Sequence, residues 1–194
     1  MVPPGTAKGV VMTKMPDVFR QALACTLQHE GGYANDPADP GGETNYGISK
    51  RSYPRLDIKA LTIADASLIY YHDFYLAPGL DRLEFAPLLA AKVFDLGVNC
   101  GTGSAGRMLQ RAVNTVCAGE VEPRRRAAWR QKVVQLLGGG VLKVDGVIGP
   151  ITVEVVRACP YHRALLAALK GEAYSHYARL NPLFIPNWLT RLES

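Results

Sequence analysis

Along the first third of the chain, apolar residues return at helical intervals and then stop abruptly. Phe19, Leu23 and Leu27 recur at i+4 and define one face of a helix over residues 16–30. Pro16 suits its first turn and Asp17 its positive end. Gly31 and Gly32 end it, because glycine readily takes the left-handed conformation of a helix cap. Residues 33–49, "YANDPADPGGETNYGIS", cannot continue a helix and read as a loop or short hairpin, with "NYGIS" as a short strand. Helical spacing resumes at "IADASLIYYHDFYL", opened by a Thr62–Asp65 capping box and closed by Pro78 and Gly79. Pro87 starts another helix to about Asn99, with Leu88, Ala91, Asp95 and Val98 on one side.

The second half repeats this punctuation. "GTGSAG" breaks the chain, and Ser104 caps a helix whose core face is Leu109, Ala112, Val113 and Val116. A helix over 123–137 turns Trp129, Val133 and Leu136 or Leu137 inward, and Gly138–Gly140 stop it. "KVDGVIGPIT" is a turn leading into a helix from Pro150, and a last long helix covers about 161–180. Strand content is too small for a sheet-based core, so the fold class is mainly α with a small β element.

A chain of 194 residues suits one domain or two small ones sharing a core. No apolar stretch approaches the roughly 20 residues a membrane span needs, so no stable membrane insertion is expected. The opening "MVPPGTAKGVVMTKMPDVF" has neither an apolar h-region nor a small-residue cleavage pattern. Residues 1–15 therefore read as a loose leader rather than a signal peptide, and a substrate beyond the membrane would require another route of delivery. Cys25, Cys100, Cys117 and Cys159 lack the paired spacing of a zinc site and read as free, mostly buried thiols. The formal net charge is +5, part of it in the run "EPRRRAAWR" at 122–130. A basic surface favours anionic partners: nucleic acid, acidic lipid or an anionic wall polymer.

The chemistry concentrates in "LQHEGGYANDPADPGGETNYGIS", residues 27–49. Glu30 ends its helix, where unpaired carbonyls place negative partial charge. A carboxylic acid there tends to hold its proton, as a general acid must. Asp36 and Asp39 follow in a polar loop that keeps a carboxylate ionised, although Asp-Pro pairs are also ordinary turn formers. One protonated and one charged carboxyl group is the pairing used in glycoside hydrolysis, where a separation of about 6.5–9.5 Å favours inversion and about 5 Å retention. Thr44 adds a hydroxyl that can hold a water. Gly42 and its neighbouring glycines let backbone approach a sugar, and Tyr33 and Tyr46 offer aromatic faces in the same loop. Prolines 37 and 40 break a calcium-loop pattern. "GTGSAG" matches a dinucleotide fingerprint in letters only, because a helix rather than a strand precedes it. No metal and no cofactor is required.

The segment "HEGGYANDPADPGGETNYGIS" resembles the active-site segment of glycoside hydrolase family 108, the bacterial and phage N-acetylmuramidases. The resemblance implies a lysozyme-like helical bundle with its small β-hairpin or loop element beside the active site. It places the catalytic acid on Glu30, with Asp39 as the preferred second carboxylate, Asp36 as its rival, and Thr44 as the water-holding group. The segment is also similar to the phage-lysozyme pattern of Glu, Asp after eight residues and Thr after five; here eight residues separate Glu30 from Asp39, but four separate Asp39 from Thr44. "FDLGVNCGTGSAGRMLQRAVN" and "KVDGVIGPITVEVV" resemble the peptidoglycan-binding region of that family, which makes Asp145, Gly146 and Gly149 candidate binding residues, though turn chemistry alone accounts for them equally well. The expected organisation is a leader over 1–15, a catalytic region over 16–100 and a peptidoglycan-binding helical region over 101–194. The implied partners are peptidoglycan glycan strands, with a holin or secretion machinery for export and action in the periplasm, the wall or outside the cell. The competing class is a non-catalytic protein that binds peptidoglycan, or nucleic acid through Arg124–Arg130 with Trp129 stacking. That class leaves the Glu30-to-Thr44 loop unexplained, so no nucleic-acid partner is expected.

Overall fold

The structure, a computed structural model, describes residues 15–29, 32–35, 42–118, 123–138, 141–180, 189–190 and 192, with the side chains of His29 and of 123–127 outside that set. The described residues are mainly helical with one two-stranded sheet, as the sequence pattern predicts. The chain forms two compact units, 1–73 and 74–194.

The first unit opens with α1 (Asp17–His29). Phe19 and Leu23 are buried as their spacing requires, and Leu27 is half-buried. Strands β1 (Thr44–Asn45) and β2 (Ile48–Ser49) pair antiparallel, with Thr44 opposite Ser49 and Asn45 opposite Ile48. Their two-residue connection, Tyr46–Gly47, has φ of +49° and +75°. Two successive positive φ values characterise a type I′ turn, whose twist matches that of the strands it joins. "NYGIS" is therefore a turn with half a hairpin on either side rather than one strand. Asn45, buried, donates from Nδ2 to the carbonyls of Ile58 (3.1 Å) and Leu61 (3.3 Å), fixing the hairpin to the loop that follows it.

α2 (Ile63–Ile69) carries the predicted capping box, with Thr62 and Asp65 satisfying each other's backbone N–H groups. The expected single helix over 63–76 changes at Tyr70 into a π-helical segment, Tyr70–Leu76. A π turn spreads successive side chains over a wider circumference than an α turn, and the segment holds four aromatic rings, Tyr70, Tyr71, Phe74 and Tyr75. Tyr70 and Tyr75 are fully buried. Tyr70 donates to the Tyr46 carbonyl within the first unit (2.9 Å). Tyr75, within the second, donates to Glu84 (3.1 Å) and meets Phe94 edge-on.

The second unit comprises a 3-10 turn at Leu80–Leu83, then α3 (Pro87–Cys100), α4 (Thr102–Ala118), α5 (Pro123–Leu137), α6 (Pro150–Ala158) and α7 (His162–Tyr177). α4 packs against both α3 and α7 and forms the centre of the unit, with Leu109, Ala112 and Val113 buried as expected and Val116 half-buried. One expectation needs correction, and one helix face left open by the sequence is assigned by the structure. α4 starts at Thr102, so Ser104 lies inside it rather than capping it, and the amides of Ser104 and Ala105 bond the Gly101 carbonyl. In α3 the side chosen by periodicity is the outer one: Leu88 is 72% exposed, whereas Leu89, Ala90, Val93, Phe94, Leu96 and Gly97 are buried. A helix apolar on nearly every side gives periodicity no face to select. Trp129 and Val133 are buried, and Trp129 Nε1 donates to the Val155 carbonyl (3.2 Å), tying α5 to α6. That ring is core and cannot stack on a base.

The "LQ" and "DG…GPxT" elements of the second half prove to be one hydrogen-bonded lock. Buried Gln110 on α4 donates from Nε2 to Asp145 Oδ1 (2.8 Å) and the Val147 carbonyl (3.0 Å), and its Oε1 accepts from the Gly146 amide (2.7 Å). Asp145 also accepts from the Val147 amide (2.9 Å). Gly146 has φ of +85°, and a Cβ there would lie 2.6 Å from the Gly103 carbonyl oxygen. A Cβ on Gly106 would lie 2.2 Å from the Gly146 carbonyl oxygen, so helix and turn meet backbone to backbone.

Candidate active site

α1 runs to the edge of the segment that carries the candidate chemistry, and a backbone bridge closes the far side of it. Ala34 and Thr44 exchange two backbone hydrogen bonds of 2.8 Å each. Ala34 and Thr44 are thus held side by side, on either side of the stretch of sequence that contains Asp36 and Asp39. Glu30, Asp36 and Asp39 themselves lie outside the described residues. Thr44, Tyr33, Tyr46 and Gly42 are described, and all four fall on or beside this bridge and hairpin.

Thr44 is half-buried and donates its hydroxyl hydrogen to the Gly42 carbonyl (3.3 Å). Its proton is committed, and its oxygen lone pairs remain as acceptors. Gly42 has φ of +68°, with open space where a side chain would begin. Tyr33 is 42% exposed and donates its hydroxyl to Glu43 Oε1 (2.9 Å). That bond to a carboxylate is the main cause of the upward shift in the phenol's pKa, with partial desolvation adding to it. Lys59 Nζ sits 5.9 Å from the Tyr33 ring centroid, in cation–π range. Tyr46 takes the strained positive φ in the turn, and its carbonyl is held by Tyr70.

Glu43 is a carboxylate that the motif reading passed over, because it occupies the variable position of the G-G-x-T pattern. Its adjacency to Thr44 and ten-residue separation from Tyr33 were visible signals, but only the bridge brings the latter pair together. On the same unit Tyr53 donates to Asp73 (2.7 Å), and burial together with that carboxylate raises its pKa well above the usual phenol range.

The cysteines are free: Cys159 is buried, Cys100 and Cys117 are half-buried, and Cys25 is exposed, so burial is less general than expected. Burial pushes the Cys100 and Cys159 thiols up to about 11, which keeps them protonated and non-nucleophilic at neutral pH. Among the described residues, no group of three or more His, Cys, Asp or Glu side chains is arranged to hold a metal ion, and no helix is long and apolar enough to cross a membrane. Within the second unit, the candidates Asp145 and Gly146 are brought together with Gln110. Gly149 precedes α6, whose first residue is Pro150.

A mainly helical chain with a short hairpin after its first helix has a lysozyme-like architecture. Residues 23–101 match the family model described as glycosyl hydrolase 108. The chain carries a glycosyl hydrolase 108 region and is a glycoside hydrolase of the lysozyme type, acting on peptidoglycan. Among solved structures it is similar to that of Brucella abortus SagA, with a TM-score of 0.65 and 25% identity over 90% of this chain and 89% of that one. Comparison with curated proteins finds no significant match.

Proposed function

We propose that the chain is an N-acetylmuramidase that cleaves the β-1,4 bond between N-acetylmuramic acid and N-acetylglucosamine. The observation that carries this reading is the glycosyl hydrolase 108 match, which spans both Glu30 and the Thr44 hairpin. Glu30 is the general acid that protonates the leaving oxygen. Asp39, in preference to Asp36, positions water or stabilises positive charge at the anomeric carbon. Thr44 accepts a hydrogen bond from that water through the lone pairs left free by its bond to Gly42. Tyr33 and Tyr46 present rings and hydroxyls to the sugar chain, and Gly42 admits it close to the backbone. The second unit, including the Asp145–Gly149 turn, contributes to holding the wall polymer. Delivery to the wall through a holin or a dedicated secretion route completes the reading.

The test is digestion of purified sacculi by wild type and Glu30→Gln, with mass spectrometry of the borohydride-reduced products. Reduced muramic acid ends from wild type and none from the folded variant support the assignment. Reduced glucosamine ends would reassign the bond, and an active Glu30→Gln would remove Glu30 from the acid role.

A further inference from the structure

The second unit contains a cleft that the glycosidase reading does not use. It lies between α4 and α7, has a volume of about 440 Å³, and is lined by Arg107, Arg111, Glu172, Ser175, His176 and Arg179 among others. That volume is within the range of small-ligand sites, and this one is polar and strongly cationic. The guanidinium groups are not equivalent. Arg111 is committed to Glu172, Nε to Oε2 at 2.5 Å. Arg107 and Arg179 make no ion pair among the described residues, and Arg107 has only a long bond to the Ser104 hydroxyl (3.4 Å). Arg107 is nevertheless seated: its Nη1 lies where a Cβ on Gly146 would come within 3.1 Å, against the turn locked by Gln110. A placed guanidinium with free donors beside a second one is a receptor for an oxyanion.

Glu172 narrows the choice of oxyanion. Its Oε2 is paired with Arg111, and its carboxylate keeps lone pairs that can accept from an N–H beside the bound group. Arginine donors next to one fixed acceptor fit a carboxylate carried on the same carbon as an amine or amide nitrogen, which is amino-acid chemistry. The geometry points to a binding site for the carboxylate-bearing peptide stems of peptidoglycan, with Arg107 and Arg179 holding the carboxylate and Glu172 accepting from the adjacent nitrogen. This rests on the reading of peptidoglycan as the substrate and adds a peptide-recognising site to a glycan-cutting one.

The probe is the free stem tripeptide L-Ala-γ-D-Glu-diaminopimelate, titrated into the full chain by calorimetry, with its methyl esters and inorganic phosphate in parallel. The expected result is saturable binding of the tripeptide, weakened at least tenfold by esterification and at least tenfold in Arg107→Gln/Arg179→Gln. If that double variant fails to fold, Arg179→Gln alone, at an exposed position beyond the end of α7, must weaken binding at least threefold. Cleavage of peptide-free glycan oligomers should be unchanged in these variants while cleavage of intact sacculi falls. Equal binding of the esters, tighter binding of phosphate, or full affinity in the variants would overturn the assignment. Peptide binding by a chain that cleaves no glycan would support the cleft and sink the muramidase reading. Glycan cleavage without tripeptide binding would do the reverse.

Discussion

The two units use their most conspicuous residues in opposite ways. In the first, the motif residues sit on little regular structure: a two-residue turn, a bridge of two hydrogen bonds and a hairpin of four strand residues support Tyr33, Gly42, Thr44 and Tyr46. In the second, the motif residues are themselves the support. Gln110, Asp145, Gly146 and the Val147 backbone bond one another. The contrast teaches that a motif dense in carboxylates and glycines can mark either chemistry or a backbone contact. Counting where its hydrogen bonds go separates the two. The cationic cleft makes the same point from the other side, because Arg107 and Arg179 make no ion pair among the described residues.

The largest effect that would sharpen this contrast is on rate without stability. Glu30→Gln should reduce sacculus cleavage by about 10²–10⁴-fold, the usual worth of a general acid, with an unchanged urea midpoint. Gln110→Ala should do the opposite, costing about 2–4 kcal/mol in urea unfolding because a buried side chain that makes several bonds is lost at once, while glycan cleavage per folded molecule persists. Loss of cleavage in folded Gln110→Ala would break the division between the units. Asn45→Ala should cost about 1–3 kcal/mol, since two carbonyls lose their partner, and should also lower activity by loosening the hairpin under Thr44. The smallest effect is a pH dependence. The Gln110 side chain and then the Val147 amide hold Asp145 below the usual carboxylate range. Its contribution is therefore present above its unfolded pKa of about 3.9 and lost as pH falls through its lower folded value. Acid unfolding followed by near-ultraviolet circular dichroism should show a shallower pH slope below about pH 4 in Asp145→Asn.

Much of the fold was legible because proline, glycine and capping residues act locally. Pro123, Pro150 and the Thr62–Asp65 pair mark helix starts where the structure has them. What local rules could not supply was orientation. α3 is apolar on most sides, so its inward face is chosen by neighbours rather than by period, and Leu88 ends up outside. The π-helical Tyr70–Leu76 has an apolar spacing too near that of an α-helix to be distinguished. The site was legible as chemistry in Glu30, Asp36, Asp39 and Thr44, but Glu43 passed unnoticed because its partner Tyr33 meets it only through the bridge. The cleft was invisible for a plainer reason: Arg107 and Glu172 are separated by most of the second unit's length, and only helix packing brings them to one cavity.

The Ala34–Thr44 bridge has a further consequence for how such enzymes diversify. Because its two backbone bonds tie both ends of the intervening chain, the cost of closing that loop falls on the bridge and not on the hairpin beyond it. Loop closure grows only with the logarithm of length, so adding or removing one residue changes that cost by a few tenths of a kcal/mol at most. The shorter spacing between Asp39 and Thr44, four residues rather than five, is a change of this kind. The bridge thus lets the number of residues between its two ends change by one at little cost while the platform that carries Thr44 stays in register.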